Sequence, residues 1–262
     1  MNHELFHHES RSFVEFGLAW ITVLGLVLYA FAAFVSGRRF KPWPLYRYVC
    51  WFFGIGSAAA AVIGPLARRA HTVFTAHMTG HLLLGMLAPL LLALAAPMTL
   101  FLRVLPVPLS RKLSHVLRSW PLVILTDPVI TSLLNIGGLW ILYTTDLYGM
   151  MHQNVMIHLL VHVHVFLAGY FFTVSMLYVD PVPHRTSFLY RATVLVFALA
   201  GHGILSKYIY AHPPAGVSGI QAEQGGKLMY YGGDGIDIIL IFIFCLQWFK
   251  AARPRMRVAA NS

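Results

Sequence analysis

Charge is what this sequence has least of. Only 11% of its 262 residues are charged, where a soluble domain carries about a quarter, and that scarcity excludes an ordinary soluble fold. Acidic residues are the scarcer sign, nine against nineteen Lys and Arg, for a net charge of +10. That excess does not describe a nucleic-acid-binding face, because the basic residues fall in short clusters between apolar runs. No alternating apolar–polar pattern runs along the chain, so strands do not compete with helices. There is no internal repeat and no H-E-x-x-H, which sets aside a zinc hydrolase of that kind. Cysteine is limited to Cys50 and Cys245. Both fall in the inner halves of their predicted helices, on the reducing side, where they read as small buried apolar residues and no disulfide is expected.

What the chain has in abundance is apolar length. Hydrophobic residues make up 58% of it, and its mean hydropathy is +0.69. A span needs roughly 20 apolar residues to cross about 30 Å of hydrocarbon, and helices satisfy their own backbone polar groups there. The expected fold is therefore all-α, a single polytopic membrane bundle over residues 1–262, with spans near 15–35, 46–66, 76–101, 121–143, 155–178, 188–209 and 235–249. In the fourth, Asp127-Pro128 has the form of an N-cap followed by Pro at the first helical position, which would leave 119–126 as an interfacial approach. The longest non-helical stretch is expected between about Ala211 and Gly233.

Glu4, Glu9, Arg11 and Glu15 precede the first apolar run and Arg38, Arg39 and Lys41 follow it, the reverse of a signal peptide. With the N-terminus outside, the inner segments hold Arg38, Arg39, Lys41, Arg47, Arg103, Arg111, Lys112, Arg118, Arg185, Arg191, Lys250, Arg253, Arg255 and Arg257. Arg11, Arg68, Arg69, Lys207 and Lys227 remain outside, five against fourteen. That asymmetry places the C-terminus in the cytoplasm. Small-residue stretches at 54–61 and 135–138 let helices approach closely and carry packing rather than chemistry.

With this topology only His115 and His184 of the fourteen histidines lie inside. The third span carries His77-Met78-Thr79-Gly80-His81 and the fifth carries His158 and His162, each pair at i and i+4 on one helix face. His81, His162 and His202 come out at a common depth, roughly 10 Å below the outer boundary, with His77 and His158 a turn above. Three imidazoles from neighbouring helices suit copper or zinc. A lone intramembrane histidine more often donates a hydrogen bond to a neighbouring helix; two such pairs and His202 at one depth favour a metal. Met78, Met150, Met151, Met156 and Met229 also fall at the outer end, and thioethers favour Cu(I), with Met78 the best placed. His164 is about 200° around the helix from His162 and should face elsewhere. His3, His7 and His8 form an amino-terminal tract, and His152 and His212 also lie outside. Asp146, Glu223, Asp234 and Asp237 are the outer carboxylates; Asp234 or Asp237 should cap the seventh span, or orient a ligating imidazole. Lys207 should snorkel to the interface.

The run from Gly64-Pro65 through His77-Met78-Thr79-Gly80-His81-Leu82-Leu83-Leu84 to Ala88-Pro89 and Ala96-Pro97 resembles the signature of the CtaG-type cytochrome c oxidase assembly proteins. His152 with His158, and Gly225-Gly226-Lys227-Leu228-Met229 before the last helix, resemble it too. One departure is that Gln221 and Glu223 stand where members carry an Asp shortly before the paired glycines. The resemblance implies a non-enzymatic assembly factor of the bacterial plasma membrane. Its role would be to deliver Cu(I) to a subunit of the haem–copper oxidase, with an extracytoplasmic copper donor as a further partner. On this reading the metal is held by His77, His81, His158, His162 and His202 with Met78. Two alternatives from other classes are a haem-binding electron-transfer protein, with His81 and His162 or His202 as axial ligands, and a metal transporter. The transporter would need polar groups through the inner half, where Asp127 and Cys50 are thin support.

Overall fold

The computed structural model describes residues 2–182 and 185–253, with side chains from residue 16 onward. The amino-terminal tract of His3, His7 and His8, the flanking Glu4, Glu9, Arg11 and Glu15, and His184, Arg255 and Arg257 therefore lie outside the described side chains. Among the described residues the chain is helical throughout, without strands.

The first span lies in α1 (Asn2–Arg39) and ends at Arg38 and Arg39. It packs on α2 (Leu45–Val62). The two are pinned by Tyr29, whose ring stacks on Trp51 at 4.4 Å. The Tyr29 hydroxyl accepts from Trp43 Nε1 at 3.0 Å and donates to the Ala95 carbonyl at 2.7 Å. Gly64 takes a positive φ of 87° so that Pro65 can start the short α3 (Pro65–Ala70).

The third span is α4 (Phe74–Leu82), a π-helical turn Leu83–Leu87, and α5 (Ala88–Leu94). The widening has a local cause. Pro89 has no N–H to offer the Gly85 carbonyl, and the Ala88 N–H reaches Leu83 instead. The freed Gly85 carbonyl meets Gly169 of the fifth span so closely that a Cβ at 169 would collide with it. This span is 61% buried, against 11–33% for the other long apolar helices. It is the centre of the bundle, and its two histidines, His77 and His81, are buried in protein. It stops at Leu94, short of the expected residue 101, because Ala96 turns left-handed at φ 53° and Pro97 starts a new helix, α6 (Pro97–Val104). Buried Asp180 caps α6 from afar, accepting the N–H groups of Met98 and Thr99 at 3.0 and 2.7 Å.

Two short helices, α7 (Val107–Leu117) and α8 (Trp120–Leu125), lead to the fourth span. Asp127 accepts from Val129 N at 2.9 Å, and Pro128 opens α9 (Pro128–Ser132), as the Asp-Pro pair predicts. A second π turn, Leu133–Gly137, and α10 (Gly138–Thr144) follow. The chain then bends by 78° into α11 (Leu147–Gln153). The remaining long helices are α12 (Val155–Met176), α13 (Phe188–Ala211) and α14 (Gly219–Ala252). Among the described residues six helices are long and apolar enough to cross a membrane, or seven with the bent pair counted as one span. The protein is thus multi-pass, near the seven spans expected.

The stretch from Ala211 to Gly233 corrects the expectation of a long loop, since α14 already starts at Gly219 and runs about 50 Å. Ser218 caps it by accepting from Gln221 N, and Lys227 pairs with Glu223 at 2.7 Å one turn on. Its glycines, read as loop punctuation, are contact points: a Cβ at Gly225 would collide with the Phe74 ring, and one at Gly233 would lie 2.6 Å from His202 Cε1. Asp234 and Asp237 consequently sit mid-helix and are not caps. Cys245 is likewise exposed on a helix flank rather than buried, Cys50 is half-buried, and neither is bonded to another cysteine.

Candidate functional site

Because α4 is the central helix, the i,i+4 spacing of His77 and His81 turns both imidazoles into protein, each 7% exposed. His202 of α13 meets them from another side at 5%. The geometry divides the histidines into a wide outer group and a tight inner pair.

In the outer group, His77 Nε2 and the Tyr143 hydroxyl share a hydrogen bond of 3.0 Å. The Tyr148 ring stands edge-on to His77 at 5.1 Å and lies 4.6 Å from His152. His152 is anchored through Nδ1 to the Tyr148 carbonyl at 2.9 Å, and its ring is 6.3 Å from that of His77. On α12, His162 Nδ1 donates to the His158 carbonyl at 2.8 Å, and the two rings stack at 4.2 Å. His71 closes the group, its ring 5.1 Å from His158 and 6.1 Å from His152. His77 is within electrostatic reach of His81, His152, His158 and His162.

The inner pair is His81 and His202, with ring centroids 6.2 Å apart and planes 26° from parallel. Among the described residues neither ring nitrogen of His81 has a hydrogen-bond partner, nor does Nε2 of His202. A buried polar atom left unpaired costs about 1–3 kcal/mol, and buried groups of this kind are rare in native proteins. With metal–nitrogen bonds of about 2.0–2.1 Å, two imidazoles on opposite sides of one ion in a linear arrangement have centroids about 6 Å apart, and the separation of these two rings matches that value. Both line a cavity of about 30 Å³ together with Asn135 and buried Asp237. That volume holds an ion or a water or two.

The remaining sequence candidates divide clearly. His162 lies within electrostatic reach of His81, but its ring stacks on His158. Among the described residues no three or more His, Cys, Asp or Glu side chains stand together as a ready-made metal shell. Met78 is fully buried in an apolar cluster with Met151, Met229 and Phe74, whereas Met150 and Met156 are exposed. His164 points away, to the Leu134 carbonyl at 3.1 Å. His212 folds back on the Tyr208 carbonyl, and Lys207 lies over the Tyr230 ring. Glu223 is engaged by Lys227 and Tyr210, and Gln221 accepts the Phe74 N–H at 3.3 Å, tying α14 to the start of α4.

Sequence reasoning missed Tyr143, Tyr148 and His71 as neighbours of the paired histidines, and it ranked Asp237 first as a helix cap and only second as a neighbour of a ligating imidazole. The tyrosines count as apolar in a hydropathy profile, and only a fixed α10–α11 bend brings them to His77. The capping reading of Asp237 followed from the misread start of α14.

Comparison with known proteins then decides the family. The model of the cytochrome c oxidase caa3 assembly factor family (Caa3_CtaG) matches residues 27–251. The chain belongs to that family. An uncharacterized protein of Mycobacterium leprae is 28% identical over 252 residues, which is 88% of this chain and 38% of the relative. Uncharacterized proteins of Mycobacterium bovis and Mycobacterium tuberculosis are each 29% identical over 192 residues, 70% of this chain and 29% of theirs. The chain thus spans less than two fifths of the length of these curated relatives. No solved structure matches it.

Proposed function

We propose that this protein serves cytochrome c oxidase assembly by carrying Cu(I) as cargo, taking it up at the histidine-rich end and passing it to a subunit of the haem–copper oxidase. The reading places that end outside the bacterial plasma membrane and the C-terminus in the cytoplasm, as the fourteen basic residues at the other end favour. Family membership supports the assembly role. One observation carries the metal: His81 and His202 are buried, face one small cavity, and keep three ring nitrogens without partners.

Imidazole nitrogen is a common metal ligand, and Cu(I) tolerates low coordination numbers. A two-histidine seat holds it without a closed shell, and an ion that must leave again is served by that openness. His77, His158 and His162 stand between this seat and the bundle end, with His71 and His152 beyond them, so each ligand exchange is a short step. Met78, adjacent in sequence to His77, is the softest donor within the motif. Movement of the ion needs only replacement of one bond by another, with no change in oxidation state, so no catalytic step is required. An extracytoplasmic donor would load the outer histidines.

The haem alternative uses the same pair as axial ligands. A cavity of about 30 Å³ is far smaller than a porphyrin, so haem would require α4 and α13 to part. The deciding experiment is elemental analysis, a visible spectrum and a Cu(I) competition titration on full-length protein purified under reducing conditions. Stoichiometric Cu(I), lost with at least about a ten-fold fall in affinity when His81 and His202 are both alanine, supports the proposal. Absence of copper binding overturns it, and an intense Soret band would transfer the site to haem.

A further inference from the structure

At the end of the bundle opposite the histidines, a cleft of about 610 Å³ opens between the C-terminus of α1, the C-terminus of α6 and the length of α7. Its cationic lining is Arg39, Arg103, Arg111 and Arg118, with His115 beside them, and no carboxylate lines it. Among the described residues none of the four arginines is paired with an Asp or Glu. Arg103 is held by ring faces, over Trp43 at 5.1 Å and Phe40 at 5.7 Å, contacts that leave its N–H donors free. The turn from α6 to α7 is fixed by Ser110, whose hydroxyl lies 3.2 and 3.1 Å from the Leu102 and Leu105 carbonyls. The arginines therefore hang on a braced corner rather than on a loose loop.

We propose that this cleft binds the phosphate of an anionic phospholipid headgroup. Like charges gathered without counter-charges repel one another, and a phosphate relieves that repulsion while taking the planar fork of arginine in two parallel hydrogen bonds. Its surroundings select a lipid as the source of the phosphate. Phe40 and Val107 in the lining are 51% and 63% exposed, and close in the chain to lining residues His115 and Arg118 stand Val116 and Trp120, the last 74% exposed. Exposed apolar side chains next to unpaired arginines describe a helix lying at the headgroup level, with acyl chains on one side and phosphates on the other. A soluble phosphate would gain nothing from that apolar border.

The test uses the full-length protein in detergent, with native mass spectrometry and thermal unfolding in the presence of phosphatidylglycerol, phosphatidylcholine or inorganic phosphate. Phosphatidylglycerol should be retained and should raise Tm, phosphatidylcholine should not, and millimolar inorganic phosphate should have little effect. The double variant Arg111→Gln with Arg118→Gln should weaken phosphatidylglycerol binding about thirty-fold, a factor of about five for each charge. Lys112→Gln, a charge on the same helix outside the cleft lining, should stay within about two-fold. Equal affinity for the two lipids overturns the proposal, a measurement on the wild-type chain that holds even if the variant fails to fold. So does equal loss in the double variant and Lys112→Gln, which would mean diffuse surface charge. An effect of inorganic phosphate as large as that of the lipid would also overturn it.

Discussion

His77 Nε2 and the Tyr143 hydroxyl meet at 3.0 Å between the central helix and α10, with both side chains buried. This is the one direct side-chain hydrogen bond between the sequence-predicted histidines and the bent fourth span among the described residues. It engages one ring nitrogen of His77 and so fixes the ring. Tyr143→Phe removes the partner and leaves a buried imidazole nitrogen unpaired, which costs about 1–3 kcal/mol. Thermal unfolding in detergent should show the Tm falling, with copper stoichiometry unchanged because the inner pair is intact. An unchanged Tm would mean that the bond is not made in solution.

His81 has the opposite signature, two buried nitrogens and no partner for either. A leucine of similar size removes two unsatisfied groups and fills the same space. His81→Leu should therefore raise the Tm of the metal-free protein, by the equivalent of about 1–3 kcal/mol. In the wild type, Cu(I) should raise Tm, because a ligand that binds only the folded state stabilises it; in the variant that rise should vanish. A variant less stable than the wild type without metal would show that His81 is a structural side chain with a partner after all.

Much of this arrangement was legible in the residues. The i,i+4 pair on the third span, the Asp127-Pro128 start and the positions of most spans follow from helix period, capping and hydropathy, which are local. The beginning of α14 was not legible, because Gly225-Gly226 and Gly232-Gly233 carry the same symbols whether glycine marks a turn or a close helix contact. Only the Phe74 and His202 rings packed against them settle which. The pairing of His81 with His202 rather than with His162 was equally hidden, since depth along a helix says nothing about rotation around it. Both misses are facts of tertiary packing with no local trace.

The contact of Gly169 with the Gly85 carbonyl is a sharper case of such packing. The carbonyl is free because Pro89 cannot bond to it, and α12 exploits the gap by coming into direct backbone contact. Gly169→Ala must push the two helices apart, against a backbone atom that has no rotamer to change, at about 1–3 kcal/mol or more. The displaced helix carries His158 and His162, so the same variant should lower both Tm and Cu(I) affinity. Gly56→Ala, where an added Cβ meets nothing within 4 Å, serves as the control and should leave both unchanged.

Orientation is checked by fusion. A fluorescent protein attached after the last residue should mature in the bacterial cytoplasm, and an alkaline phosphatase in the same place should be inactive. The reverse pattern would put the histidine-rich end in the cytoplasm and remove the route from an extracytoplasmic donor to an oxidase subunit.

Asp237 offers the most discriminating test of the inner seat. One Cu(I) on two neutral imidazoles is a net positive charge in a buried place, and an isolated buried charge is strongly disfavoured. The carboxylate of Asp237 lines the same cavity as His81 and His202 and can balance that charge without touching the ion. Outer partners of this kind are worth about 10–100-fold in metal affinity. Asp237→Asn keeps the shape and loses the charge, so Cu(I) affinity should fall by about ten-fold or more while the Tm of the metal-free protein stays or rises. Asp234→Asn, exposed three residues earlier on the same helix, should have a smaller effect, since Asp234 does not line the cavity. Equal effects at the two positions would place the ion outside the cavity, and no effect at either would leave His81 and His202 without a cation between them.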